Sequence, residues 1–447
     1  MNRVIMVLAL ALVLYGTVPA GAEETSLGMK EAVGLAMENN HEIKAFMNSV
    51  FAQKEDIGIA RSSLLPKIAF EERFMRTNNP TFAFMAKLNQ QRFTQQDFAI
   101  ESLNNPSPVT DYQTSFSFEQ PVFAKKAYIG LDMARTEAGA KDEDFKRKKQ
   151  EIAMKVAETY LMVLTAREYV SVAEKGVEDA REHLRIAELK QNTGLGLYSD
   201  SLRASTAVTE AEQKSISARK NLDVLKRALG LLLGTTESVG AADEDPGLVL
   251  RDITYYDAAA ATREDIKSLE LRHENAKNNL RLVEASYLPV VGVGGSYQLN
   301  DHRRPAGSEG ESWQVAAFLR WDIFDGTKRS HDKTKAYYQI SEAEEYLKGM
   351  KKAVSFRVYE AYLGAEEALK KKELSQSALT TAEEGKRLVK KRYESALSPI
   401  VDLLDTQVSL DHARANAVAS QNEYRRAVIA VAYESGTILQ ELGIEER

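Results

Sequence analysis

The sequence contains no cysteine. A disulfide framework, a thiolate metal site, a cysteine nucleophile and a lipid-modified N-terminal cysteine are therefore excluded. Histidine is also scarce, because only six are present, and no two of them are spaced to share a metal ion on one helix face. The formal net charge is -6, so we do not expect the clustered basic surface of a nucleic-acid-binding protein.

Long hydrophobic runs are missing beyond the N-terminus. No later segment approaches the roughly 18 apolar residues that indicate a transmembrane helix. Arg3 precedes a short apolar run, 4–15, and small residues follow up to Ala22. This order predicts a secretory signal peptide, residues 1–22, whereas the alternative, a membrane anchor, would need about 20 apolar residues. We therefore expect an exported chain that can enter a membrane only as strands.

Motifs for catalysis are missing as well. Two glycine-rich stretches, 194–196 and 292–295, lack the Lys-Ser/Thr ending of a phosphate loop and the full dinucleotide-binding pattern. A turn and a glycine-bearing strand are the better interpretations of these stretches. Because no Ser-His-Asp order, paired catalytic carboxylates or metal cluster emerges either, we expect no enzyme, no cofactor and no metal site.

The strongest positive feature is an internal repetition. The stretch 123–234 returns as 324–436, and each copy predicts one very long helix, a tight turn and a returning helix. Two pairs of matching segments mark the repetition: Glu158-Thr159-Tyr160-Leu161 with Glu360-Ala361-Tyr362-Leu363, and, more loosely, 193–200 with 395–402.

The predicted domain organisation follows from this repetition. A signal peptide, 1–22, comes first. The first repeat, 23–234, contains a β-hairpin at 66–123 and a helical hairpin at 124–234. A linker or equatorial segment with little core, 235–262, leads to the second repeat, 263–436, which contains a β-hairpin at 289–324 and a helical hairpin at 325–436. The C-terminal tail, 437–447, is expected to be polar and peripheral. Ser26 is the expected cap of the first helix. Helices at 42–65 and from 263 onward should stop at Pro66 and Pro289.

Each predicted β-hairpin alternates apolar and polar residues with a period of two, as strands do. The apolar positions are Ile68, Phe70 and Phe74, then Tyr112, Phe116, Phe118 and Val122, then Val291 and Val293, and finally Trp313, Val315, Ala317, Leu319 and Trp321. Two interpretations stay open: soluble hairpins on a core, or transmembrane strands with lipid on one face and water on the other. The export signal and the long helices favour the second. The loop within the first hairpin should hold a short helix around 86–103.

The long helices owe their predicted length to regular apolar spacing. The stretch 126–191 contains no proline, and a helix of that length would extend about 100 Å. Its apolar residues form two neighbouring heptad seams: Ala153, Val156, Tyr160, Val163 and Val170, and beside them Ala157, Leu161 and Leu164. The second copy repeats one seam in Val354, Val358, Ala361, Ala365 and Ala368, with Tyr359 and Leu363 alongside. Two seams favour a helical wall or tube over an ordinary coiled-coil stalk, which stays the alternative.

The turns between the long helices carry the candidate functional residues. Ser398 and Pro399 are typical of an N-cap followed by proline at the first helical position, and Asp402 and Asp405 follow on one face. The first copy offers Ser199 as a possible cap and then Asp200. In the structural interpretation, each acid stabilises its helix dipole by about 0.3–1 kcal/mol. In the functional interpretation, several chains assemble around an axis, and the same carboxylate from each chain contributes to a cation-selective ring.

Together these features resemble the TolC family of outer-membrane efflux proteins across both halves of the mature chain. The resemblance is carried by Leu64-Leu65-Pro66 and Tyr287-Leu288-Pro289, by Gln120-Pro121-Val122-Phe123, and by the turn from Tyr393 through Ile400-Val401-Asp402-Leu403-Leu404-Asp405. It implies a mixed α/β membrane protein, mainly α. Long coiled-coil hairpins would form a periplasmic α-barrel, and four strands per chain would contribute to a trimeric twelve-stranded transmembrane β-barrel.

The resemblance also implies a function. The protein would be a homotrimer in the outer membrane, with a large periplasmic portion, and would act as the passive exit duct of a tripartite efflux or type I secretion system. Its partners would be a periplasmic adaptor (membrane fusion) protein, an inner-membrane RND or ABC transporter and outer-membrane lipid. The alternative is a periplasmic coiled-coil scaffold without a pore, which would not need the alternating strand pairs.

Family members close the periplasmic end with a tyrosine, an arginine and an aspartate that link neighbouring tip helices, and acidic rings lie just inside. Tyr393, Asp200, Asp402 and Asp405 match those positions, whereas Ser398 stands where the arginine would be. We therefore expect this tip to be held by other contacts or to open more easily. The residues expected to dock the adaptor are those of the two turns: Gly194, Leu195, Gly196, Leu197, Ala396, Leu397 and Pro399.

Overall fold

Helices dominate the structure, a computed structural model that describes residues 26–242 and 247–444. The predicted signal peptide lies outside the described residues. In chain order the elements are β1 (Ser26–Leu27), α1 (Met29–Asn39), α2 (His41–Ser62), β2 (Lys67–Thr77), α3 (Pro80–Asn89), a 3-10 helix (Gln95–Phe98), α4 (Ile100–Asn104), β3 (Val109–Phe123), α5 (Lys125–Asn192), α6 (Tyr198–Leu232), β4 (Gly240–Ala241), α7 (Ile253–Ala260), α8 (Glu264–Glu284), a 3-10 helix (Ala285–Tyr287), β5 (Val290–Asp301), β6 (Gly310–Arg320), α9 (Lys328–Glu394), α10 (Ile400–Ser435) and α11 (Ile438–Glu441).

Local side-chain caps explain where several helices begin. The Asn40 carboxamide oxygen accepts the backbone N–H groups of Glu42 and Ile43 at 2.8 and 3.3 Å, so α2 begins at residue 41. Asp252 caps α7 in the same way. The prediction that Ser26 caps the first helix is wrong. Ser26 instead belongs to β1, which pairs in parallel with β4, and the helix begins at Met29.

Both long helices are present as predicted, α5 with 68 residues and α9 with 67. Along α5 the two apolar seams are buried, apart from the half-buried Val170. Along α9 one seam is buried apart from the half-buried Ala361, but Tyr359 and Leu363 beside it are exposed. The described residues of this chain therefore leave about half of these two side chains exposed.

The four strands predicted from alternation form one antiparallel sheet in the order β2-β3-β5-β6. Its register aligns rows of like residues across all four strands. One face carries the row Phe70, Phe116, Tyr297 and Trp313. The opposite face carries the row Ala69, Ser117, Ser296 and Gln314. The sheet is thus apolar on one face and polar on the other over these rows. Trp321, expected in the last strand, lies just beyond its end.

The loop between β2 and β3 differs from the single short helix predicted around 86–103. Proline at the first position of α3, after the Asn79 cap, starts a helix earlier, and Gln91 with φ 56° follows its end. Thr94 and Asp97 then form a capping box that begins the 3-10 helix, and α4 comes after it. Local capping residues therefore divide the loop into three short helical pieces.

Two segments predicted to contribute little core are in fact packed. In the segment 235–262, α7 places Tyr256 and Ala260 in a buried cluster with Ile266, Val358 and other apolar residues. In the tail, Ile438 and Leu439 of α11 are also buried. The expectations of a linker with little core and of a peripheral tail are therefore wrong, because each segment forms a short helix that buries its few large apolar side chains.

The chain divides into two units. Unit 1 comprises Met1–Ala36, Lys155–Leu248 and Ala368–Arg426, and it contains both turns between long helices. Unit 2 comprises Met37–Met154, Val249–Glu367 and Ala427–Arg447, and it contains the four-stranded sheet. Within 26–242 and 247–444, no helix combines the length and the apolar character needed to cross a membrane.

Candidate functional site at the helix turns

The two turns of unit 1 end their helices with the same backbone geometry. After α5, the N–H of Leu195 donates to the Lys190 carbonyl at 2.8 Å and that of Gly194 to Gln191 at 3.0 Å. After α9, the N–H of Leu397 donates to Arg392 at 2.8 Å and that of Ala396 to Tyr393 at 3.1 Å. This pair of bonds is the Schellman motif, which needs a left-handed residue just past the helix. Gly194 fills that position in the first turn with φ 73°, and Ala396 fills it in the second with φ 58°.

The two left-handed residues give a matched pair of predictions. Gly194→Ala should lower the local opening free energy of the first turn by about 1 kcal/mol, because a Cβ is disfavoured in the left-handed region. Steric clash is not involved, since no atom lies within 4 Å of the new Cβ. Ala396→Gly should instead stabilise the second turn by about 0.5 kcal/mol, since strain is relieved at some cost in chain entropy. Hydrogen exchange of the turn amides measures both changes.

Gly196→Ala serves as the control for these two variants. Gly196 has no positive φ, but a Cβ there would lie 2.9 Å from Lys190 Cβ and 3.1 Å from the Gln191 nitrogen. It therefore tests close packing rather than backbone conformation. If Ala396→Gly loosens its turn as much as Gly194→Ala loosens the other, the conformational explanation is wrong.

Packing brings the two turns together within unit 1. Tyr393 is buried in a cluster with Ile186, Ala187, Ala204, Ile400 and Leu403. The Lys190 ammonium donates a hydrogen bond to the Tyr393 carbonyl and lies 4.1 Å from the centroid of its ring. The end of α5 is thus tied to the end of α9. Sequence reasoning missed Lys190, although a basic residue in the last turn of a helix is a recognisable signal.

The acidic candidates fall into two groups. Asp200 lies near Tyr393, and burial together with the Asp200 charge raises the pKa of the Tyr393 phenol. The phenol therefore stays neutral at physiological pH. Asp402 and Asp405 are both exposed on α10. Their carboxylates have no hydrogen-bond or ion-pair partner in the part of the chain that the structure describes.

Neither predicted serine cap is present. α10 begins at Ile400 rather than directly after Ser398, and the buried Ser398 hydroxyl has no hydrogen-bond partner among the described residues. α6 begins at Tyr198 with Leu197 at the cap position and no side-chain cap bond, so Ser199 lies inside the first turn. These turns are held by the Schellman bonds at the ends of α5 and α9 and by the Tyr393 cluster.

The turns expose large apolar side chains. Leu195, Leu197 and Leu397 expose 76%, 68% and 70% of their surface, and Pro399 is exposed as well. Three leucines so open within two short turns bury almost nothing in this chain. They are free to contact another molecule, because exposed apolar clusters of this kind mark interaction surfaces.

A polar network that sequence reasoning missed lies within the same unit. Asp179 of α5 accepts from Lys386 of α9 at 2.9 Å, from Arg414 of α10 at 3.0 Å and from Gln407 of α10 at 3.2 Å. Burial alone would raise the pKa of the Asp179 carboxyl, but the two cations outweigh burial and lower it. Asp179 is therefore ionised, and it joins three long helices.

His183 lies next to this network and is only 1% exposed. Its Nε2 contacts the Gln407 amide oxygen at 3.2 Å, whereas Nδ1 has no partner among residues that the structure describes. Burial lowers the pKa of the imidazole. An unfolded histidine takes up a proton near pH 6.5, before the folded one does. The contribution of His183 to stability is therefore complete above that pH and is lost as the pH falls below it.

Comparison with known proteins relates this chain to one protein family. The family model described as "Outer membrane efflux protein" matches residues 32–235 and 255–437. The chain is 20% identical to the outer membrane protein TolC of Vibrio cholerae over 92% of this chain and 91% of that protein. It is 22% identical to the alkaline protease secretion protein AprF of Pseudomonas aeruginosa over 71% of this chain and 66% of that protein. The crystal structure of the outer membrane protein VceC from Vibrio cholerae shares the fold, with a TM-score of 0.73, 14% identity and coverage of 93% of this chain and 96% of that one.

Proposed function

The chain belongs to the outer membrane efflux protein family of outer-membrane channels for efflux and secretion, and we propose that three copies of it form one passive exit duct. In this proposal the four strands of each chain join a twelve-stranded transmembrane barrel, and the long helices form a periplasmic tunnel. A periplasmic adaptor and an inner-membrane RND or ABC transporter complete a tripartite system. The duct itself catalyses no reaction and needs no cofactor.

The observation that carries this proposal is the amphipathic sheet with two open edges. One face of the sheet presents Phe70, Phe116, Tyr297 and Trp313 in a row, as lipid contact requires. Among the described strands, β2 and β6 each pair on one side only. Unpaired backbone groups are not tolerated in lipid, so the edges must be closed by strands of other copies. A periplasmic scaffold would need neither an apolar face on the sheet nor closure of the sheet edges.

The uncovered face of α9 supports assembly from several copies. Phe356, Tyr359 and Leu363 are exposed on a helix whose other seam is buried. A neighbouring copy would cover this face and so complete the second seam of a helical wall. The two predicted helical hairpins, 124–234 and 325–436, would then contribute equivalent segments to that wall.

The two turns are proposed as the gate and the docking end. The exposed leucines of the turns, with Gly194, Gly196, Ala396 and Pro399 shaping the backbone, offer the adaptor an apolar surface. Asp402 and Asp405 would form carboxylate rings around the axis. Tyr393, Asp200 and Ser398 would support the closed end without the arginine of the family gate. The packing of Tyr393 against Lys190 is the contact that could replace it.

Cell fractionation and planar-bilayer recording test the channel itself. We expect the protein in the outer-membrane fraction, a chemically cross-linked trimer, and discrete conductance steps from the purified protein. A protein that stays in the soluble periplasmic fraction and gives no conductance would support the scaffold and reject the duct.

The acidic rings make a separate prediction. Asp402→Ala combined with Asp405→Ala should shift the reversal potential in a salt gradient towards zero and weaken block by multivalent cations by about tenfold or more. Both effects follow from removing six carboxylates from one constriction of a trimer.

A matched control removes the same charge elsewhere. Glu383→Ala combined with Glu384→Ala deletes two exposed acids from α9 in the same unit. That variant should keep its selectivity and its block. Equal changes in both double variants, or no change in the Asp402/Asp405 variant, would reject the ring.

A further inference from the structure

The turn between β5 and β6 brings together three side chains whose proximity was not predicted from the sequence. One ligand atom each from Asp301, His302 and Glu309 lies within 4.8 Å of the other two. Sequence reasoning considered histidines that share a helix face and so predicted no metal site. These three residues converge because β5 and β6 pair at Asn300 and Gly310, which draws the two ends of the turn together.

Hydrogen bonds fix the Asp301 carboxylate through one of its oxygens, and the other oxygen accepts none from the described residues. Asp301 is 5% exposed, and its Oδ1 accepts the backbone N–H groups of Arg303 and Arg304 at 2.7 and 3.1 Å. Its Oδ2 accepts no hydrogen bond from any residue in the described part of the chain. The two bonds to Oδ1 hold the carboxylate in position, and Oδ2 is left available to a cation.

The imidazole of His302 is held by contacts at both of its nitrogens. Nδ1 hydrogen-bonds to Glu309 Oε2, and the backbone N–H of His302 donates to the same oxygen at 3.2 Å. The Arg303 guanidinium donates from Nε to His302 Nε2 at 3.1 Å and lies 3.7 Å from Glu309 Oε1. An arginine that donates to Nε2 places the ring proton on Nδ1. The Arg303 guanidinium is thus a cation that already lies against His302 and Glu309.

We propose that Asp301, His302 and Glu309 form a binding site for a first-row divalent transition-metal ion, with Arg303 as its internal competitor. One imidazole nitrogen and two carboxylate oxygens suit Zn²⁺ and its neighbours, whereas Ca²⁺ and Mg²⁺ prefer all-oxygen sites. The metal takes Nδ1, the ring proton moves to Nε2, and Arg303 swings away because two donors cannot face each other. That movement is cheap, since the Arg303 side chain is 76% exposed.

Binding would tie the two ends of the turn to one ion. Asp301 and His302 precede the turn and Glu309 closes it, so a shared metal restrains the loop from both sides. The amides of residues 302–309 should then exchange more slowly in the presence of the ion. This consequence does not depend on whether the protein conducts.

Calorimetry of the full-length, untagged, metal-stripped protein with Zn²⁺ tests the site. We expect one saturable Zn²⁺ per chain, no matching response to Ca²⁺, and slower exchange across 302–309. His302→Ala and, as a milder change, Glu309→Gln should each weaken Zn²⁺ binding at least about tenfold. The control is His331→Ala, which removes an exposed histidine of α9 in the same unit and should leave binding unchanged.

Arg303→Ala separates a metal site from general surface binding. It removes the competing donor and a repelling charge, so it should tighten Zn²⁺ binding by about tenfold, whereas a purely structural role for the cluster gives no reason for a gain. The proposal is overturned if Zn²⁺ does not bind, if His331→Ala weakens binding as much as His302→Ala, or if Arg303→Ala leaves the affinity unchanged.

Discussion

Replacing Arg263 with leucine should lower the free energy of local opening around the start of α8 by about 3–5 kcal/mol. The Arg263 side chain is only 1% exposed. It forms a fork on Asp265 at 2.6 and 2.9 Å and also donates to the Glu434 carbonyl at 2.6 Å and to its carboxylate at 3.2 Å. Removing the guanidinium leaves two carboxylates in a largely buried place without their cation.

Among the described residues, no side chain other than Arg263 donates a hydrogen bond to the Asp265 carboxylate. Burial alone would raise the pKa of the Asp265 carboxyl, but Arg263 and the nearby Arg147 hold it below its usual value. The stability from this pair is therefore present above about pH 4, the unfolded value, and is lost as the pH falls through the folded value. Arg147 is itself occupied, because it donates to the Tyr433 carbonyl at 2.8 Å and to Gln150.

Hydrogen exchange of the α8 amides and of the last turns of α10 measures the change, and a loss of 3 kcal/mol means exchange more than about 100-fold faster. Arg263→Lys keeps the charge but not the fork, so an intermediate loss is expected. The control is Lys277→Leu on the same helix, which breaks only an exposed pair with Glu274 and should change little. Equal protection in the Arg263→Leu variant and the parent protein would contradict the prediction.

Replacing Asp179 with leucine should be the second most damaging change, at about 3 kcal/mol of local opening free energy within unit 1. Asp179 is the shared acceptor of Lys386 and Arg414, and all three side chains are at most 18% exposed. Without the carboxylate, two cations from α9 and α10 face each other beside the buried His183. The segments of α5, α9 and α10 around the network should therefore separate more readily.

Exchange rates and limited proteolysis of these segments measure the effect. Asp179→Asn keeps the shape and one acceptor, so it should cost less than leucine. Glu178→Leu is the matched control, because Glu178 is the neighbouring acid, is mostly exposed and, among the described residues, pairs with Lys175 alone. A loss in the Glu178→Leu variant as large as in Asp179→Leu would mean that added surface hydrophobicity, and not the missing ion pair, is responsible.

Much of the fold could be predicted because periodic patterns of apolar residues extend along each long helix and each strand. The seams of α5 recur over several turns and the stretch 126–191 contains no proline, so the sequence predicts a helix within about one residue of its observed ends. Strand alternation at Phe70, Phe116 and Trp313 gave the four strands for the same reason. Single-residue signals did less well. Ser26, Ser199 and Ser398 were all expected as caps, and none of them is one. Ser26 lies in β1, Ser199 lies inside the first turn of α6, and the Ser398 hydroxyl has no hydrogen-bond partner among the described residues.

The amino-acid sequence by itself determined the length of the helices, the alternation of the strands and the acids that follow each turn, since these depend on spacing along the chain. Only the tertiary structure decided which charges meet. Arg263 pairs with Glu434, and Asp179 pairs with Lys386, across gaps in sequence that no local pattern encodes. The physical reason is burial. A charge removed from water needs a partner nearby in space, and folding, rather than sequence spacing, brings that partner close.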